Sequence, residues 1–182
     1  LRSYLPEIIY LQGQLYQKLG GINKAYNRYR LLHIDFPSSP LTSQAKEHMN
    51  ELSKVEGITI IPLTIDEHTR RIRKLLSDVK YQQTVTEITD LLAIKSPLPG
   101  KFYFYLAQAQ KGLRKRNLAN AALRKFINHY PGHSRVQEAL FNIGRNFWNT
   151  GYYRDGLKYF ETSIEENPHS KLANQARFFI GK

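Results

Sequence analysis

Apolar residues recur along most of this chain every three or four positions, the period that lays a single apolar stripe along an α-helix. Leu140, Ile143, Gly144 and Phe147 share one such face, and Gly156, Phe160 and Ser163 share another. Thr150-Gly151-Tyr152 between them reads as a turn. Three helical stretches end alike, on His33-Ile34-Asp35-Phe36-Pro37, Ile127-Asn128-His129-Tyr130-Pro131 and Ile164-Glu165-Glu166-Asn167-Pro168. Ala93-Ile94-Lys95-Ser96-Pro97 is a looser copy of the same ending. Proline lacks an amide proton and its ring clashes with the preceding turn, so each of these prolines closes a helix. Pro97 and Pro131 stand 34 residues apart, and Pro131 and Pro168 stand 37 apart.

The repeat that Pro168 closes resembles the tetratricopeptide pattern: a large residue, Leu, Gly and Tyr on a first helix, then small, Phe, small and Pro on a second. Ile9, Gly13, Tyr16 and Gly20, followed by Ala25, Tyr29, Leu32 and Pro37, keep the same offsets. So do Tyr103, Leu106 and Ala107, followed by Ala119, Leu123, Phe126 and Pro131. One repeat is degenerate: Ile72, Leu76, Val85 and Leu92 hold the apolar spacing, but Arg73 replaces the small residue. The resulting expectation is an all-α, right-handed superhelix (an α-solenoid) of tetratricopeptide-like helix pairs near 7–34, 66–95, 101–129 and 137–166. Gly144 and Gly156 should let paired helices approach closely, whereas Gly100, in a Pro-Gly turn, should be more exposed.

Two stretches depart from the array. Ala45, Met49 and Leu52 suggest a further helix ended at Gly57, and Ile58-Thr59-Ile60-Ile61-Pro62 reads as an extended linker. The organisation expected is an N-terminal pair plus extra helix over 1–57, a linker over 58–65, and three repeats over 66–182. Ala173, Ala176 and Ile180 open another repeat that stops short, and the chain starts at Leu1, so it reads as an excised piece of a longer protein.

The chain has 182 residues, 41% of them hydrophobic and 23% charged, which is ordinary for a globular protein. No apolar run is long enough to span a bilayer. Cysteine is absent, which removes disulfides and thiolate metal sites. The 27 Lys and Arg against 15 Asp and Glu give a net charge of +12, which favours anionic partners but also serves solubility alone. His129 and His133 have ligand spacing, yet Pro131 interrupts the helix between them, so no metal site is expected. There is no nucleophile elbow, phosphate loop or dinucleotide fingerprint. Asp66-Glu67 suits a helix start, where negative charge complements the helix dipole. No catalytic residue and no cofactor are expected.

In a stack of helix pairs the first helix of each pair lines the concave surface. Its outward offsets give Tyr10, Gln14 and Gln17 with Lys18, then Arg70 and Lys74, then Phe104, Gln108 and Lys111, then Phe141, Arg145 and Trp148 with Asn149. Phe104, Phe141 and Trp148 could stack on sugar rings or peptide side chains beside Lys111 and Arg145, or could pack against an adjoining helix.

Residues 20–45, with Asp35-Phe36-Pro37-Ser38-Ser39-Pro40 followed by Ala45, resemble bacterial envelope tetratricopeptide proteins. Thr64 to Leu92 and Asn167 to Ala176 look like the helical domain ahead of the catalytic domain in soluble lytic murein transglycosylases. That resemblance implies a non-catalytic, periplasmic or outer-membrane-associated scaffold that binds peptidoglycan or a protein partner. The reaction itself would belong to another domain, since no Glu-Ser pair occurs in this chain. An envelope assembly adaptor and a basic nucleic-acid-binding repeat are the alternatives. Against the latter, Arg70, Phe104 and Phe141 at one equivalent offset form no polar base-reading code.

Overall fold

The computed structural model describes residues 4–55 and 61–181. Among them the chain forms ten α-helices and no strand. They are α1 (Leu5–Lys18), α2 (Ile22–Asp35), α3 (Leu41–Leu52), α4 (Ile65–Ser77) and α5 (Tyr81–Ile94), then α6 (Lys101–Gly112), α7 (Arg116–His129), α8 (Val136–Trp148), α9 (Tyr153–Glu166) and α10 (Lys171–Ile180). The helices expected from the apolar period thus form within one or two residues of the predicted spans. Gly57 and residues 58–60 of the expected linker lie outside the described residues; 61–64 run without regular structure into α4. The helices divide into two units, Leu1–Lys80 and Tyr81–Lys182.

In the first unit α2 packs against α1, α3 and α4. Its core gathers Ile9, Ala25, Tyr26, Tyr29, Leu32, Ala45 and Leu52. Gly13 makes room for the Tyr29 ring: a Cβ there would stand 2.5 Å from Cε1 of that ring. Tyr29 is completely buried; its hydroxyl donates to Oε1 of Gln17 at 3.1 Å, and its ring stacks on His48 at 4.9 Å. Burial, with the nearby Tyr10 and Glu51, pushes the phenol up to about 12.

The start of α4 is fixed by a capping box. Glu67 N–H donates to Oγ1 of Thr64, and Thr64 N–H donates to Oε2 of Glu67 at 2.8 Å. The same carboxylate oxygen accepts from Nη2 of Arg30 on α2 at 2.8 Å. Arg30 Nη1 also donates to the Ile61 carbonyl at 2.6 Å, which ties the segment before α4 to α2. Arg71 donates to the His33 carbonyl, and Arg70 approaches Asp35 at 3.5 Å. These bonds explain a difference from the organisation expected. Sequence alone places the break at 58–65, but α4 packs with α2, and the units part between Lys80 and Tyr81. The helix pair expected over 66–95 is therefore divided, with α4 in the first unit and α5 in the second. Its defining small residue is missing, replaced by Arg73.

In the second unit each helix packs on the next, from α5 to α10. Gly144 and Gly156 bring α8 and α9 together: a Cβ on Gly156 would lie 3.1 Å from the Gly144 carbonyl oxygen. A Cβ on Gly144 would lie 2.8 Å from the Phe160 ring, which is completely buried and stacks on Phe179 of α10 at 4.9 Å. Gly100 does not behave as an open turn residue. A Cβ there would meet Cε2 of the buried Phe126 at 2.6 Å, because the turn before α6 folds onto α7. Gly132, by contrast, has no atom within 4 Å of its would-be Cβ.

Gly144→Leu and Gly100→Leu should each destabilise the fold by about 1–3 kcal/mol through overpacking, while Gly132→Leu should stay within about 0.5 kcal/mol. Thermal melts of the three variants check this, and an unaffected Gly100→Leu would contradict the Phe126 contact. A second expectation concerns acid. Burial pushes the Glu67 carboxyl up, but hydrogen bonds from Thr64 and Arg30 outweigh it and hold the group below its ordinary value of 4.5. A carboxyl held low in the folded state stabilises it above the unfolded pKa, and that contribution disappears as pH falls through the folded pKa. Glu67→Gln should therefore lower the melting temperature at neutral pH, with the gap from the parent protein closing as pH drops below 4.5.

Candidate ligand-binding cleft

The aromatic-rich sequence of α6 divides between two faces. Phe102, Tyr103, Leu106 and Ala109 turn into the core, while Lys101, Phe104, Tyr105, Gln108 and Lys111 follow one another along the opposite side. On α8, Ile143 and Gly144 are buried, and Glu138, Asn142 and Arg145 form the equivalent outer stripe. The two stripes flank α7, and the space between them is a cleft of about 270 Å³ with Ala107 and Leu123 among its lining.

One wall is held by a three-residue lock. Arg135, the N-cap residue of α8, donates from Nε and Nη2 to the two carboxylate oxygens of Glu138 at 2.7 and 2.9 Å. Its guanidinium lies 3.7 Å from the centre of the Phe104 ring, and that ring meets Phe126 edge-on at 4.8 Å. The hydrogen bonds to Glu138 raise the Arg135 pKa further against the opposing effect of burial. A forked ion pair resting on an aromatic face fixes both partners more firmly than an open surface pair would. The floor is tied by Asn146, whose amide donates to Oδ1 of Asn120 at 2.7 Å between two buried side chains.

Of the groove residues read from sequence, Phe104, Gln108, Lys111 and Arg145 do meet in this cleft. Phe141 and Trp148 do not join them. Phe141 is 4% exposed and packs with Phe160 and Ala176, and Trp148 lies half-buried against the same cluster, 5.5 Å from Phe179 and 4.9 Å from Tyr153. The physical reason is α10: its Phe179 packs beside both rings, and Phe141 with Arg145 borders a separate space toward Lys171, Asn174 and Gln175 of that helix. Asn149 stands exposed just past α8. Tyr10, Gln14, Lys18, Arg70 and Lys74 belong to the first unit. Tyr10 is half-buried, with its hydroxyl 3.1 Å from Nε2 of His48. Gln14 is half-buried as well, while Lys18, Arg70 and Lys74 are exposed.

Sequence reasoning missed Lys101, Tyr105, Arg135, Glu138, Asn142 and Asn146. Lys101, Tyr105 and Asn142 lie one helical turn or one position from residues it did select, so a wider stripe would have found them. Arg135 precedes its helix, and only the fold brings it over Phe104. Among the described residues no group of three or more His, Cys, Asp or Glu could hold a metal ion. His133 instead accepts the Arg135 amide proton on Nδ1 at 3.1 Å. No helix among them is long and apolar enough to cross a membrane.

Residues 102–133, which make up most of α6 and α7 and the turn that follows, match the tetratricopeptide-repeat family. A crystal structure of MamA protein is similar in fold, with a TM-score of 0.52 at 15% identity over 91% of this chain and 93% of that one. No curated protein sequence matches the chain. The repeat that matches is the one that supplies Phe104, Gln108 and Lys111.

Phe141→Ala should cost about 3–5 kcal/mol of stability as a core truncation, while Gln108→Ala and Lys111→Ala should each stay within about 0.5 kcal/mol. Denaturant titration of the three variants measures the difference. A mild Phe141→Ala would return that residue to the groove.

Proposed function

We propose that this chain is a tetratricopeptide-type binding scaffold and that the cleft between α6 and α8 takes an acidic segment of a partner protein. The observation that carries this reading is the charge of the lining. Lys101, Lys111, Arg135 and Arg145 face a single carboxylate, Glu138, which Arg135 already engages on both oxygens. An incoming carboxylate would find cations, with the amides of Gln108 and Asn142 beside them to accept or donate hydrogen bonds. A cleft made of helix side chains with no nucleophile–base pair suits recognition rather than turnover.

The reading extends to a place in the bacterial envelope, as the helical arm of a lytic-transglycosylase-like protein, supported by the resemblance of residues 20–45, 64–92 and 167–176. The geometry favours a protein ligand over cell-wall polymer within that setting. Sugar stacking needs an open aromatic face; Phe141 and Trp148 are packed against α9 and α10, and one face of Phe104 is covered by Arg135, which leaves Tyr105 as the remaining aromatic of the cleft lining.

Fluorescence anisotropy tests the proposal with a short labelled peptide of Glu and Leu and its counterpart with Gln in place of Glu. The Glu peptide should bind measurably and the Gln peptide should not, and added salt should weaken the binding. Lys111→Ala and Arg145→Ala should each reduce affinity about threefold to tenfold. Equal binding of both peptides would overturn the acidic-segment reading. Retention on purified sacculi that competes with the Glu peptide would instead favour cell-wall polymer, and tight binding to duplex DNA at high salt would favour nucleic acid.

A further inference from the structure

The first helix carries an apolar stripe that its own unit leaves uncovered. Tyr4, Ile8, Leu11, Leu15 and Leu19 are each between 43% and 72% exposed. At 100° per residue Ile8, Leu11 and Leu15 fall within an arc of roughly 60°, about 120° around the helix from Ile9, Gly13 and Tyr16, which face the core, and Tyr4 and Leu19 extend the patch from the two cap positions. Isolated exposed leucines are ordinary, but five large apolar side chains in one line are a patch.

The stripe has an internal symmetry. Ile8 and Leu15, and likewise Tyr4 and Leu19, are equidistant from the level between Leu11 and Gln12. A two-fold axis at that level sets Ile8 of one copy against Leu15 of the other and Tyr4 against Leu19, with the two Leu11 side chains meeting at the centre. That is the self-complementarity an isologous contact requires, with helices packed antiparallel. The charges agree with it. Glu7 and Lys18 are the acidic residue of the first turn and the basic residue of the last in α1, whose other residues from Leu5 to Lys18 are uncharged. Both lie on the same rim of the stripe. The two-fold axis keeps that rim against itself and brings Glu7 of each copy within about 3 Å, along the axis, of the level of the other's Lys18.

Net charge distinguishes this face from the exposed apolar residues of α10. In a chain of +12, copies repel one another except where charge is balanced. α1 is neutral and pairs opposite signs across the axis. α10 also exposes Phe178 and Ile180, but Lys171 and Arg177 flank them with no acid in the helix, so a second copy would meet like charge there. Burying the five side chains removes roughly 500 Å² per copy, or about 1,000 Å² over the pair, the threshold for a specific but weak interface.

We propose that α1 is a self-association surface and that two copies of this chain pair antiparallel through Tyr4, Ile8, Leu11, Leu15 and Leu19. The pairing is independent of the α6–α8 cleft. Sedimentation velocity across the micromolar range should show a reversible monomer–dimer equilibrium. Leu11→Asp and Leu15→Asp should each weaken it at least about tenfold, and both should remain folded by circular dichroism because the positions are exposed. Glu7→Lys should weaken the dimer, and the double exchange Glu7→Lys/Lys18→Glu should restore it, which a purely hydrophobic contact would not require. Phe178→Asp should leave it unchanged. A monomer throughout the range, a dimer indifferent to Leu15→Asp, or a dimer lost on Phe178→Asp would each overturn the proposal.

Discussion

The fold rests on one steric arrangement: an aromatic ring from the second helix of a pair lying over a residue without a side chain on the first. Tyr29 covers Gly13 and Phe160 covers Gly144 at distances that admit no Cβ. The contact brings two backbones close, and it drives a large apolar ring fully out of water, worth about 1.5–3 kcal/mol for each side chain. On α8 this contact holds one side of the helix, and the opposite side carries the stripe of Glu138, Asn142 and Arg145 that lines the cleft.

The same arrangement explains why the second unit has a lined cleft with fixed walls. Phe126 fills the space under Gly100 and also meets Phe104 edge-on, so Phe104 is held from below by the core and from above by Arg135. Arg135 in turn is oriented by both oxygens of Glu138. Preorganised side chains lose less freedom on binding, and a ligand meeting Lys111 and Arg145 beside such a wall has fewer groups to order. In the first unit the comparable polar contacts lie elsewhere. Arg30, Glu67 and Thr64 hold the approach to α4 against α2.

What the one-dimensional pattern determined was substantial. The 3.6-residue period and the closing prolines placed nearly every helix, and the alternation of small and aromatic residues identified the close contacts at Gly144 and Gly156 and put Gly13 at the equivalent offset. The interhelix turns were only partly legible. Gly20 and Gly151 adopt the left-handed conformation that glycine advertises, with φ of 73° and 82°, but Val79 and Arg114 adopt it too, at 60° and 61°. Nothing in either residue type announces that.

The rest was decided by tertiary structure. Periodicity shows that a residue shares a face with its neighbours in the helix; it does not show what the next helix will lay over that face. Phe141 and Trp148 had the spacing of groove residues, yet Phe141 became core and Trp148 half-buried because Phe179 of α10 reaches them. Gly100 had the look of a loop residue and became a close contact because its turn folds onto Phe126. α4 had the spacing to pair with α5, yet its cap and its arginines bind it to α2. In each case the sequence fixes which atoms sit on one side of a helix, a local and additive property. Whether that side meets solvent, a ligand or another helix depends on contacts between residues far apart in the chain, which only the packed structure specifies.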